Sequence, residues 1–338
     1  MRKKWIGGLA AALAGAGIVA FVRSRQANND IQQERWTTAN TPDLTGKVII
    51  VTGANSGIGY EAAREFARKG AQTILACRSV DKAQAALAEI KAEIPNASAE
   101  IMPLDLASQR SVHQFAEAFK AQYDRLDVLV NNAGIMMVPY GITEDGFERQ
   151  LGTNHLGHFA LTGLLLDLLL KTPGARVVNV SSGAHRSGSM DFDNLMFEKG
   201  EGYSPMGAYG RSKLANLLFT YELQRRFEAL GADALATAAH PGISRTNLMG
   251  HMSDRWYFGL VMLASRFMLQ SAAMGALPTL RAAVDPAAKG GQYFGPDGPN
   301  ERGGYPVVVE STAASHNQAD ARQLWQVSEQ LTGVVYNL

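Results

Sequence analysis

The chain predicts an α/β fold: a single doubly wound parallel sheet with helices on both faces, preceded by an N-terminal hydrophobic helix. Three observations carry this expectation. Short, β-branched-rich apolar runs alternate with helical stretches from Lys47 onward. A glycine-rich loop joins the first such run to the first helix. An uncharged run from Trp5 to Val22 lies between basic residues at the start of the chain.

That run comes first. Arg2, Lys3 and Lys4 precede it, and Arg23 and Arg25 close it. As a helix it would span about 27 Å, close to a bilayer's hydrocarbon thickness. Residues 1–27 therefore read as a membrane anchor. A signal peptide is disfavoured because "RSRQANND" offers no small-residue cleavage site. An interfacial or buried helix stays open, since Gly and Ala make the run weakly hydrophobic. Residues 28–44 are polar and aperiodic, a linker punctuated by Pro42 and followed by Gly46. Residues 45–338 read as one domain. A net charge of +1 over 338 residues argues against a nucleic-acid partner. Cys77 is the only cysteine, which excludes intramolecular disulfides and a cysteine-built zinc site. No metal site is expected.

The strands follow from runs such as "VIIVT", "QTILAC", "LDVLVNN", "ARVVNVSS" and "ALATAAH", uninterrupted apolar stretches suited to burial on both faces, with "AEIMPL" before Asp105 falling between the second and third of these. Helices are expected over Glu61–Lys69, Lys82–Ile94, Ser111–Tyr123 and Phe159–Leu170, with a further amphipathic helix in "GAYGRSKLANLLFTYEL". In such folds ligands bind beyond the carboxyl ends of the strands.

Gly53, Gly57 and Gly59, spaced G-x-x-x-G-x-G between strand and helix, predict a dinucleotide-binding (Rossmann) loop. A glycine-rich turn without a ligand is the plainer alternative. The second strand ends "ACRS", with Arg78 where an NAD site would carry an acid. A guanidinium there suits a 2′-phosphate, so NADP(H) is preferred and NAD(H) possible. Otherwise Arg78 is a solvated surface charge.

Tyr209 and Lys213 lie four apart and share a helix face. Ser182 ends the fifth strand, Asn154 falls in the long helix before it, and Asn131 to Gly134 end the fourth strand. From Thr45 to Leu338 the chain resembles the short-chain dehydrogenase/reductase family, and within it the retinol dehydrogenase branch. The resemblance rests on "TGANSGIG", "LACR", "NNAG", "TNHLGHF", "NVSS", "YGRSKLAN" and "HPG", in that order.

The resemblance implies a hydride transfer between a nicotinamide and the carbon of an alcohol or carbonyl. Tyr209 would be the acid or base, its phenol acidified by Lys213. Lys213 would also bond the nicotinamide ribose. Ser182 would hold the substrate oxygen, and Asn154 would sustain a water-linked proton path to Lys213. Ser181 is the neighbouring alternative to Ser182, and the resemblance favours Ser182. The cofactor would meet Gly53, Asn55, Ser56, Gly57, Ile58 and Gly59 in the loop, Asp105 and Leu106 near the adenine, Asn131, Ala133 and Gly134 near the ribose, and Pro241, Gly242 and Thr246 beside the nicotinamide. His185 and His240 receive no role.

Ser182 and Tyr209 stand 27 apart, and the residues between them read as a loop over the cleft. Beyond Thr246, Met249, Met252, Trp256, Phe258, Met262 and Phe267 suit either a lipophilic substrate (retinoid, steroid or long-chain aldehyde) or plain packing. The expected setting is a membrane-anchored enzyme with its domain facing the cytoplasm, a soluble cytoplasmic one being the alternative. A homo-oligomer through helices flanking the sheet is possible. Two rival functions remain: a non-catalytic NADP(H)-binding regulator, and a carbon–carbon double-bond reductase of the protochlorophyllide reductase type.

Overall fold

Strands that are apolar on both faces can be satisfied only by helices on either side, and the chain supplies them. The computed structural model describes residues 35–243 and 270–338. The Trp5–Val22 run, Thr246 and the Met- and Phe-rich stretch from Met249 to Phe267 lie outside the described residues. Among the described residues, no helix is long and apolar enough to cross a membrane. Thr37–Leu338 forms one compact unit. Residues 37–44, read as linker, already carry a helical turn at Thr38–Asn40, and the Leu44 N–H donates to the Lys69 carbonyl.

The sheet has eight strands: β1 (Val48–Thr52), β2 (Gln72–Cys77), β3 (Ala99–Pro103), β4 (Val128–Asn131), β5 (Ala175–Val180), β6 (Ala234–Ala239), β7 (Tyr293–Pro296) and β8 (Pro306–Val308). Their spatial order is β3-β2-β1-β4-β5-β6-β7-β8. The first seven run parallel, and β8 is antiparallel to β7. That antiparallel rim departs from the all-parallel expectation. Only residues 297–305 join β7 to β8, too few for the crossover that a parallel neighbour needs. β1 lies beside β4, so strand order reverses there and a crevice opens past their carboxyl ends.

The helices begin earlier than apolar periodicity suggests, at Gly57, Val80 and Gln109. Ser56, Ser79 and Ser108 occupy their N-cap positions, with a side-chain cap made only by Ser108 to the Ser111 N–H, and the first turn adds little to the apolar stripe. The helix expected over Phe159–Leu170 is two, Gly157–Leu164 and Leu166–Lys171. The helix holding Tyr209 spans Pro205–Leu230, from a Ser204 cap to Gly231 at φ +67°.

The segment between Ser182 and Tyr209 is also placed differently from the expected cleft cover. Met190, Phe192, Leu195 and Met196 pack with Leu214, Leu218 and Leu324. Leu214 and Leu218 lie on the opposite side of their helix from Tyr209 and Lys213. The buried Arg211 fixes this arrangement by donating to the carbonyls of Ser189, Asn194 and Leu195, with its guanidinium 3.9 Å from the Phe197 ring centre. The middle of the segment therefore docks on the outer helix face. Gln318–Thr332 covers the rest of that face, where Trp325 meets Phe159, Phe219 and Tyr336.

Candidate active site

β1 ends at Thr52, and the chain turns through Gly53 at φ +68° and Gly57 at φ +58° into the helix Gly57–Arg68. A Cβ on Gly59 would stand 2.5 Å from Asn132 Nδ2 and 2.6 Å from the Gly53 carbonyl oxygen. Only glycine fits there. Ser56 makes no side-chain cap, so the first-turn N–H groups stay open to an anion. This backbone cradle fits the pyrophosphate of a dinucleotide, with Asn55, Ser56 and Ile58 in or beside the loop.

β2 lies alongside. The Gly53 N–H donates to the Ala76 carbonyl, and the Cys77 thiol bonds the Ala54 and Asn55 backbone. Burial pushes that thiol up to about 11. Arg78 follows Cys77 at the end of β2 and is exposed. Asp105 curls back on its own loop, Oδ1 accepting from the Ala107 N–H at 3.0 Å, and Leu106 is buried beside Gly157.

One assigned residue points elsewhere. Asn131 is buried, and its amide donates to Thr162 Oγ1 and Asn179 Oδ1, so its side chain is spent inside the sheet. Its neighbour Asn132 faces the glycine loop, donating from Nδ2 to the Thr52 carbonyl at 2.8 Å. Strand alternation explains the exchange. Thr52 Oγ1 accepts from the N–H groups of Asn132 and Ala133 and meets His158 Nε2 at 2.9 Å. Asn132, Thr52 and His158 lie inside "NNAG", "TGANSGIG" and "TNHLGHF", yet the sequence assigns none of them a role of its own. Burial drives His158 down to about 3, so it stays neutral.

Asn154 lies in a π-helical turn, Gly152–Leu156, a distortion frequent at functional sites. Its Oδ1 accepts from the Ile135 N–H, and its Nδ2 donates to the Ile135 carbonyl and Ser212 Oγ. A Cβ on Gly134 would come within 3.1 Å of Asn154 Oδ1 and 3.6 Å of Lys213 Nζ. The fourth strand's exit, Asn154 and Lys213 thus meet at one point.

Ser182 and Tyr209 complete the group. Ser181 turns inward and donates to the Lys213 carbonyl, whereas Ser182 Oγ accepts from the Ala184 N–H and stands close enough to the Tyr209 phenol to favour its ionised form. Lys213 is buried, donates from Nζ to the Val180 carbonyl at 2.9 Å, and lies 5.7 Å from the Tyr209 ring centre. The electrostatics correct the expected acidification. Burial raises the phenol to about 12, and the nearby Ser182 hydroxyl opposes this only in part. Burial also draws Lys213 down to about 8. Desolvation disfavours both charged forms and outweighs the pairing inferred from spacing.

Gly242 adopts φ +63° past the end of β6, next to Pro241. Thr246 lies outside the described residues. Among the described residues no cluster of His, Cys, Asp or Glu is placed to hold a metal.

Comparison with known proteins agrees with this geometry. The family model described as short chain dehydrogenase matches residues 47–195. Human retinol dehydrogenase 11 is 41% identical over 87% of this chain and 88% of its own length. A solved structure of an uncharacterized protein from Mycobacterium paratuberculosis is 42% identical, covers 90% of this chain and 100% of its own, and superposes with a TM-score of 0.74. A Shigella flexneri short chain dehydrogenase solved in complex with NADP is 25% identical over 75% of this chain and 98% of its own, with a TM-score of 0.57. The chain belongs to the short-chain dehydrogenase family, on its retinol dehydrogenase-like branch. It is an NAD(P)-dependent oxidoreductase acting on CH–OH and C=O groups.

Proposed function

We propose that the enzyme uses NADP(H) to interconvert a lipophilic alcohol and its carbonyl, with Asn154, Ser182, Tyr209 and Lys213 as its catalytic set. The observation that carries this reading is the juxtaposition of Ser182 and the Tyr209 phenol beside a buried Lys213, at the carboxyl ends of the strands. When bound, the nicotinamide supplies or accepts the hydride.

The protein's part is the proton and the oxygen. In the reductive direction Tyr209 gives its phenol proton to the substrate oxygen, and the raised phenol value keeps that proton in place at neutral pH. Ser182 holds the same oxygen. Lys213, with its Nζ toward the crevice wall at Val180, orients the ribose. Asn154 ties the π-helical turn to Ile135 and Ser212, and its side chain shares the surroundings of Gly134 with Lys213 Nζ.

The cofactor contacts proposed are Gly53, Asn55, Ser56, Gly57, Ile58, Gly59, Arg78, Asp105, Leu106, Ala133, Gly134, Pro241, Gly242 and Thr246. Asn132 replaces Asn131 among them, because its side chain faces the loop. The NADP-bound relative and the exposed Arg78 support NADP(H). Lipophilic substrates are supported by the retinol dehydrogenase relatives and by the apolar stretch Met249–Phe267. A membrane anchor over residues 1–27, with the domain on the cytoplasmic side, belongs to the same proposal. Replacing Tyr209 by Phe should abolish turnover of retinal, steroid ketones and aliphatic aldehydes while leaving NADPH affinity within about twofold, as read by fluorescence titration. Retained turnover in that variant would overturn the assignment.

A further inference from the structure

Behind Ser182 lies a set of polar groups that the catalytic assignment leaves unused. The turn Gly183–Ser187 follows Ser182 directly and carries His185 and Arg186. His185 Nδ1 lies 2.6 Å from the Ser182 carbonyl oxygen, and its ring meets Tyr293 edge-on. Arg186 Nη2 donates to Glu301 Oε1 at 2.7 Å. Glu301 Oε2 lies 2.8 Å from Nε2 of His240, the buried residue between β6 and Pro241. The two atoms approach without forming an aligned hydrogen bond, and neither has a hydrogen-bonding partner among the described residues. The Gly242 N–H donates to His240 Nδ1, so in the neutral ring Nε2 carries the proton and faces the carboxylate. Burial holds His240 down at about 4, which keeps that tautomer at neutral pH.

The backbone is shaped around this contact. Asn300 and Glu301 both adopt positive φ, 52° and 55°, rare for residues other than glycine. A Cβ on Gly242 would stand 2.6 Å from the Arg302 carbonyl oxygen, and the Ile243 N–H donates to that same oxygen at 2.8 Å. On β7, a side chain at Gly295 would fall on His240 Nε2. Strain kept at two adjacent residues, with room cleared for one ring, marks a position whose geometry is held for a purpose.

We propose that Glu301 is a positioning residue for the reaction: its carboxylate ties the turn after Ser182 to the segment His240–Ile243, setting the substrate-oxygen holder and the nicotinamide wall with one side chain. The proposal rests on the reading of Ser182, Pro241 and Gly242 given above. Its effect falls on hydride transfer rather than on cofactor capture, because the adenine and pyrophosphate contacts lie on the far side of the crevice, at β1 and β2.

The test uses the full chain with NADPH and whichever of retinal, a steroid ketone or an aliphatic aldehyde turns over fastest. Glu301→Gln should lower the single-turnover rate of NADPH oxidation about tenfold, since small misplacements cost one to two orders of magnitude. NADPH affinity and melting temperature should stay near wild type, and Glu301→Asp should recover part of the rate. Arg186→Met, at a half-exposed partner, should act in the same direction, and the double variant should be no slower than Glu301→Gln alone. Should Glu301→Gln fail to fold, Arg186→Met carries the test. Wild-type rates in the folded variants, or losses that merely follow NADPH binding or folded fraction, would overturn the proposal. Tyr209→Phe separates the two readings: if it is inactive while the Glu301 and Arg186 variants are unaffected, only this inference fails.

Discussion

Burial sets the protonation of the catalytic pair. The Tyr209 phenol, raised to about 12, is a full acid at neutral pH, and Lys213, drawn down to about 8, keeps only a modest hold on its charge. The phenol thus keeps its proton at neutral pH, and the oxidative direction, which needs the phenolate as base, should gain as pH rises. Arg78 governs a separate choice at the other end of the crevice. Arg78→Asp should move the ratio of kcat/KM for NADPH over NADH toward NADH by about tenfold or more, since it replaces a phosphate partner with a hydroxyl acceptor. An unchanged ratio would make Arg78 an ordinary surface charge. Residue identity was legible where the chemistry is local: the shared Tyr209–Lys213 face emerges from spacing, whereas Ser182 over Ser181 came only from the family resemblance. It failed where contacts join distant segments. Thr52 meets His158 across 106 positions, and no pattern in either motif announces that bond. The Asn131–Asn132 exchange was hidden because two identical residues stand side by side on alternating faces.

Among the elements, the helix Gln318–Thr332 is the one whose role was least visible. Its Trp325 is 2% exposed and lies in an aromatic cluster with Phe159, Phe219 and Tyr336. Tyr336 in turn donates to the Phe159 carbonyl at 2.6 Å. Phe159 follows the π-helical turn of Asn154, and Phe219 sits on the helix of Tyr209, so this helix backs both catalytic elements. Trp325→Ala should cost about 3–5 kcal/mol in chemical denaturation, with the activity of the remaining folded protein largely kept. A loss below about 1 kcal/mol would show that the cluster relaxes around the gap. Parallel strands were easy to find because burial on both faces leaves an unbroken apolar run. β7 and β8 escaped notice, since Gly295, Pro296 and Pro306 interrupt the run at the sheet's rim. The docked position of the Ser182–Tyr209 segment was equally hidden, because Arg211 reaches carbonyls, which have no sequence signature.

At the scale of the whole molecule, the sheet separates chemistry at one end from anchorage at the other. At the amino end of β1 the buried Asp127 accepts from Lys47, Arg125 and the Val48 N–H, and these bonds hold its carboxyl below the ordinary value of 3.8 against the cost of burial. A depressed folded value stabilises the native state above the unfolded value, and that contribution is lost as pH falls through the folded one. Asp127→Asn should therefore lower stability at neutral pH by about 1–3 kcal/mol, with the difference from wild type shrinking in acid. A constant gap across the titration would locate the effect in packing. The outer face of the helix Pro205–Leu230 is occupied by the chain's own segments, Met190–Met196 and Gln318–Thr332, so an assembly of subunits through that surface would first have to displace them. The two rims of the sheet tell a related story. β3 ends in Pro103, and β8 begins with Pro306. Lacking an amide hydrogen, each ring removes a donor from the outermost row, so a stray strand from another molecule finds an incomplete template on either flank.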